Sequence, residues 1–239
     1  MTSQLFAIRF HAHRPTGLAR FWSGLLGGEL STGPDNEAAI LPLDPAGLRI
    51  RFVPGQEPKT GRNRAHFDLT SASPEDQLQT VARALELGAR HIDVGQRPED
   101  GHVVLADPDD NEFCVIEAGN KFLADTGVIG ALACDGTREV GYFWSEALRW
   151  PLVWDQDQET AIQSPHGGPK ITWGGPPVAP KAGTNRLSFE LALPADADVE
   201  AEIDRLISLG AVRAHAGEGE DGRVLLLDPD DNEFSVQRP

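Results

Sequence analysis

The chain has 239 residues, a formal net charge of −16 and two cysteines, Cys114 and Cys134. That acidity repels nucleic-acid phosphates and anionic lipid, no apolar run approaches the roughly 18 residues that span a bilayer, and two cysteines make no disulfide framework. With no basic segment and apolar run at the start to act as a signal peptide, a cytoplasmic protein is expected, and its length suits two domains of about 120 residues.

In chain order, LFAIRFH reads as an alternating strand with Phe6, Ile8 and Phe10 on one face and Ala7, Arg9 and His11 on the other. A helix follows in which Leu18, Phe21, Trp22, Leu25 and Leu26 form one stripe, stopped by Gly27 and Gly28. His11 and His13 flank Ala12 just before it, as a solvated pair or as metal donors. The short runs EAAILPLD and GLRIRFVP complete this unit, with Leu48, Ile50 and Phe52 inward and Arg49 and Arg51 on the opposite face. A second unit opens on AHFDLT, which packs Ala65, Phe67 and Leu69 and turns His66, Asp68 and Thr70 the other way. Ser73 and Pro74 start its helix, Leu78, Val81, Ala82 and Leu85 are expected inward, and Gly88 closes it. HVVLAD and EFCVIE end the unit, joined by a tight turn in DPDDNEF, where Pro108 fixes φ and the Asp and Asn side chains bond nearby amides.

The rest of the chain repeats this plan. FWS recurs at Phe21 and Phe143, NRAHFDL at Asn63 returns as NRLSFEL at Asn185, and DPDDNEF at Asp107 returns at Asp228. The spacings, 143 − 21 = 122, 185 − 63 = 122 and 228 − 107 = 121, identify a duplicated domain. The expected domains are 1–119, with units 1–55 and 63–118, and 126–239, with units 127–175 and 184–238. Val140, Phe143, Trp144, Ala147 and Leu148 carry the third unit's helix stripe; Val199, Ile203, Leu206 and Ile207 carry the fourth, closed by Gly210. Trp150, Trp154 and Trp173 read as core or as a stacking surface for a planar ligand.

Four such units, with FW before LLGG or EAL, LELGA or LISLGA ending two helices and DPDDNEF before the last strands, resemble the vicinal oxygen chelate superfamily of glyoxalase I, bleomycin-resistance proteins, fosfomycin-resistance enzymes and extradiol dioxygenases. The resemblance implies an α+β fold of two domains, each of two βαβββ units whose mixed sheets curl into an incomplete barrel, a cup that often holds a divalent metal. The duplication and its short joint predict that the two halves each form a separate cup and pack on one another in place of a homodimer, giving a monomer that acts as an internal pseudo-dimer.

Alternation gathers Arg9, His11, Arg51, His66 and Asp68 around one expected cup in the first domain, against Ile129, Ala131, Thr172, Ser188 and Glu190 in the second. Arg9 and Arg51 would hold an anionic small molecule, or else pair with Asp68 or Glu112 across the sheet; His11, His66, Glu112 and Cys114 join the ligand-binding candidates, and Cys114 also reads as a buried small hydrophobe. The places where the resemblance implies metal ligands hold Ala7, His66 and Cys114, with the cation Arg51 near a fourth, and Ile129, Ser188 and Ser235 in the second half. No metal cofactor is therefore expected. The alternative is zinc, nickel or iron, with His66 and Cys114 helped by His11. The expected function is a metal-poor binding protein that sequesters a drug or natural product. The alternative is an enzyme: a lyase, isomerase or hydrolase with His66 as general base beside Asp68, or a metal-dependent glyoxalase or dioxygenase using His66.

Overall fold

The computed structural model describes residues 2–55, 59, 61–218 and 222–237; the outermost residues of the two expected domains, Met1 and 238–239, lie outside them. The first unit runs β1 (Gln4–Ala12), α1 (Pro15–Leu26), β2 (Glu29–Thr32), β3 (Ala38–Leu41), β4 (Ile50–Pro54), and the second β5 (Ala65–Leu69), α2 (Pro74–Glu86), β6 (Arg90–His91), β7 (Val103–Ala106), β8 (Glu112–Val115). The third is β9 (Ile129–Cys134), α3 (Arg138–Leu148), β10 (Leu152–Gln156), β11 (Glu159–Gln163), β12 (Lys170–Trp173), and the fourth β13 (Leu187–Ala192), α4 (Val199–Ser208), β14 (Val212–Glu218), β15 (Val224–Leu227), β16 (Glu233–Gln237). This is the expected α+β plan of four βαβββ units in two modules. Among the described residues no helix is long and apolar enough to cross a membrane.

Which units share a sheet differs from the expectation. One eight-stranded sheet has the order β14-β15-β16-β13-β1-β4-β3-β2 and joins units one and four; the other, β10-β11-β12-β9-β5-β8-β7-β6, joins units two and three. We call them the outer and the inner sheet. Their seams are antiparallel, Ile8 opposite Phe189 and Phe67 opposite Leu132. Each cup is thus built by both halves of the sequence, and the two halves do not form one cup apiece.

The cause lies in the helix layer. Within the first half, Trp22 of α1 meets Phe67 of β5 and Phe113 of β8 edge-on at 5.4 and 5.0 Å, and Phe10 meets Phe67 at 6.4 Å. Within the second, Trp144 meets Phe189 at 4.5 Å and Phe234 at 5.0 Å. Units of one half therefore stack through their helix faces, where large aromatic rings contribute most of the burial. Their free strand edges, β1 and β5, are left to pair with the other half.

The helix stripes are largely as expected. Val140, Phe143, Trp144, Ala147 and Leu148 are all buried, and Leu18, Phe21 and Trp22 are buried with Leu25 and Leu26 packed at the margin. In α2 the phase is different: Leu78 is 70% and Leu85 38% exposed, while Val81 and Ala84 are buried. Gln77 takes the inward place because its Nε2 donates to the carbonyls of Gly101 and Val115, both at 3.0 Å. Ile207 of α4 is likewise on the outer side, 38% exposed. Trp173 is core, Trp150 packs at its edge, and Trp154 is exposed against Phe122 at 5.8 Å.

Candidate functional site: one filled cup and one open cup

Alternation holds on β4, β5, β8 and β13, while register shifts interrupt it in β1 and β9: Leu5, not the expected Phe6, packs with Ile8 and Phe10, and Ile129, expected in a cup, joins Leu132 in the helix-side core. Ile8, Phe10, Ile50, Phe52, Phe67, Leu69, Phe113 and Phe189 join the helix-side core, which leaves Arg9, Arg51, His66, Asp68, Cys114 and Glu190 on the concave faces. Cross-half pairing then sorts the candidate residues: Arg9 and Arg51 belong to the outer cup, and His66, Asp68, Glu112 and Cys114 to the inner one. The single concavity expected for Arg9, His11, Arg51, His66 and Asp68 does not exist.

The outer cup is filled by charge. Glu190, completely buried, accepts from Arg51 Nη1 at 2.5 Å and from Arg223 Nη1 at 3.1 Å, and Arg51 Nη2 reaches Glu37 at 2.9 Å. Arg9 lies beside Arg51 on the adjacent strand, and burial, with Arg51 adding to it against the pull of Glu190, lowers its pKa. The partners of Arg51 are thus Glu37 and Glu190, not Asp68 or Glu112.

The inner cup is open at one end. Leu123 from the joint between the halves packs with Val104, Cys114, Ile116 and Ala131 at the closed end. At the other end a cavity of about 1190 Å³ runs from His66, Cys114, Ala133 and Thr172 up to His11 and Arg186 at the edge of the outer sheet. On β5, His66 Nε2 stands 3.4 Å from Asp68 Oδ1, and Cys114 occupies the parallel neighbour of Asp68. Burial pushes the His66 imidazole down, but the hydrogen bonds with Asp68 and Cys114 win and raise its pKa to about 10. The Asp68 carboxylate and the Cys114 thiol thus favour the protonated imidazole, a form that can donate a proton. Burial raises the Cys114 thiol, with His66 pulling the other way. Glu112 is engaged by Lys59 and by the Asn63 amide at 3.3 Å. His11 lines the cavity mouth as a neutral ring; burial, then Arg9, lowers its pKa to about 4. His13 is exposed.

A divalent ion held from both walls, as the resemblance implies, does not fit these residues. Opposite His66 and Asp68 the facing strand presents Ala133 and Ala131, with Thr172 beyond. The equivalent places of the outer cup hold Ala7, Arg51, Ser188 and Ser235, next to two further guanidinium groups. His66, Asp68 and Cys114, with one donor atom each inside 4.8 Å, are the metal-capable cluster among the described residues, and all come from one wall. His11 is not part of that cluster; Asp68 takes the place expected for it.

The sequence reading missed the rim. Lys59 and Lys181 pair with Glu112 and Glu233, Asn63 and Asn185 donate to Asn111 and Asn232 at 3.0 and 2.9 Å, and Arg64 and Arg186 stand one residue further on. Each half therefore uses its NEF segment to hold its NR segment. The recurrence of NR before both core strands was the available signal.

A family profile described as the glyoxalase-like domain matches residues 7–116 and again 130–237. The chain belongs to the glyoxalase-like domain family, in tandem. No curated protein matches it. Among solved structures, this glyoxalase-like chain is similar to glyoxalase I from Zea mays, with 11% identity, a TM-score of 0.64 and coverage of 99% of this chain and 92% of that one. It is also similar to a putative dioxygenase from Bacillus subtilis, with 12% identity, a TM-score of 0.61 and coverage of 98% and 84%. At such identities the likeness is one of fold, and activity has to be read from the site.

Proposed function

We propose that this glyoxalase-like protein binds a small organic molecule in the inner cup without a divalent metal, sequestering a drug or natural product. The observation that carries this reading is the cavity of about 1190 Å³, which is as large as the cavities that enclose drug-sized ligands and has His66 and Cys114 among its lining residues. Domains at 1–119 and 126–239, a monomeric chain and a cytoplasmic setting belong to the same proposal; the duplication supports the monomer, since each half supplies one unit to each of the two cups within a single chain. Small molecules extracted from purified protein and identified by mass spectrometry test it, beside an Ala133→Phe variant that fills the cavity. A compound retained by the native chain and lost from the variant supports the reading. Equal recovery from both, or none from either even after soaking with a ligand library, removes it. Light scattering at micromolar protein should give the mass of one chain, and a dimer would remove the monomer.

An enzymatic reading rests on the His66–Asp68 pair at 3.4 Å. With the imidazole held protonated, the role it supports is general acid in a lyase, isomerase or hydrolase reaction. Turnover lost in His66→Gln while ligand affinity is kept would place this reading first.

A further inference from the structure

Among the described residues that line the inner cavity, Arg64 has a guanidinium nitrogen with no hydrogen-bond partner. Arg64 directly precedes β5, and alternation along that strand puts it on the same face as His66 and Asp68, two and four residues on. Its Nη1 donates to the Asp230 carbonyl at 2.8 Å, which fixes the guanidinium at the cavity wall, while its Nε is buried with no hydrogen-bond partner. A buried guanidinium N–H without an acceptor is unfavourable, and an anionic oxygen is what restores it.

The neighbouring carboxylates do not serve. Glu112 is taken by Lys59 and by the Asn63 amide, and Asp135 Oδ2 accepts from the Ala179 amide at 2.9 Å. Beyond Arg64 the wall includes Val94, Val104, Ala133 and Pro177, which offer a ligand apolar contact only. A cation beside these apolar residues, inside a chain of net charge −16, favours a ligand with an anionic head and an apolar body.

We propose that the inner cup takes an amphiphilic organic anion, an apolar body carrying one carboxylate, sulfonate or phosphonate, and that Arg64 receives the charged head. This rests on the reading of the cavity as a small-molecule site and replaces the role expected for Arg9 and Arg51, which are committed to the outer cup.

Two fluorescent probes with related aromatic bodies separate the terms: 1-anilinonaphthalene-8-sulfonate, an anion, and N-phenyl-1-naphthylamine, its neutral analogue. The native chain should bind the sulfonate at least tenfold more tightly, with the preference falling as salt rises. Arg64→Gln should abolish the preference and leave the neutral probe within twofold. Arg64→Lys should keep part of it, which a merely structural role of Arg64 would not produce, and urea unfolding of each variant checks that the fold is intact. Ala133→Phe should lose both probes. Equal affinity for the two probes in the native chain, or a preference that survives Arg64→Gln, overturns the anion assignment. If the neutral probe binds and Ala133→Phe expels it, the cavity reading stands alone; if neither probe binds, both fall.

Discussion

Trp22 Nε1 donates to Asp107 Oδ2 at 3.1 Å across 107 − 22 = 85 residues, and Trp144 makes the same bond to Asp228 at 3.1 Å. The two phrases that mark the duplication, FWS and DPDDNEF, thus meet in space. Asp107 Oδ1 also accepts from the amides of Asp109 and Asn111, both at 2.9 Å, so one carboxylate closes the turn and ties it to the helix of the preceding unit. Asp109 and Asp230 extend the tie, accepting from the amides of His13 and Thr137 at 2.8 and 2.6 Å.

Trp22→Phe removes the donor and part of the ring. The expected loss is about 2–4 kcal/mol of unfolding free energy, from a buried bond to a carboxylate plus a small cavity. Trp144→Phe should lose a similar amount, because the two environments are copies. Urea denaturation measures both, and a loss below about 0.5 kcal/mol for either would show that the bond is incidental.

Glu190 is the keystone of the outer cup. Glu190→Gln leaves Arg9, Arg51 and Arg223 facing one another with Glu37 alone to balance them, and a loss of about 3–5 kcal/mol is expected, as when one partner of a buried pair is removed. Arg51→Ala should also lower stability and leave ligand affinity unchanged, the reverse of what its cup-facing position alone suggests. A stable Arg51→Ala protein with weakened binding would return the ligand to the outer cup.

After extensive dialysis the protein should carry no stoichiometric metal, and chelators should leave folding and binding unchanged, because His66, Asp68 and Cys114 lack a partner on the facing wall. Elemental analysis reads this directly. Near one equivalent of zinc, nickel or iron per chain, lost in His66→Ala together with function, would make the three-donor wall a metal site.

His11 sets an acid limb. Its folded pKa of about 4 lies below the ordinary 6.5, through burial first and then Arg9 and Arg186, against the pull of Glu233. The stability it contributes is complete above 6.5 and is lost as pH falls from there toward 4. Asp107, pushed up to about 6 chiefly by burial, acts with the opposite sign, its contribution growing as pH falls below 6. Comparing the native chain with His11→Gln isolates the histidine: the variant should lose less stability between pH 6.5 and 5. Parallel curves would refute the assignment.

Strand faces, helix stripes and the duplication were legible because periodicity and repetition are local or self-referential signals. Arg51, His66 and Cys114 were correctly placed on concave faces for that reason. Sheet partnership was not legible: β1 has the same alternation as β5, and each pairs as well with β9 as with β13 on pattern alone. Once the partnership was misassigned, Arg9 and Arg51 were placed with His66 and Asp68 instead of with Glu190. The phase of α2 failed for a different reason, since Gln77, a polar residue bonded to two sheet-end carbonyls, holds a place that hydropathy gives to Leu78.

The cross-half seams are nested. Phe67 meets Leu132 after 132 − 67 = 65 residues, whereas Ile8 waits 189 − 8 = 181 residues for Phe189. Loop closure is slower for longer separations, so the inner sheet, made from the continuous stretch 65–173, can assemble while β1 is still an unpaired edge. During synthesis the inner cavity's floor is then finished before the charged cup that braces it, and a nascent chain halted before β13 would expose β1 to pairing with other chains. Pulse-labelled amide exchange during refolding should show Phe67, Leu69 and Leu132 protected ahead of Ile8 and Phe189.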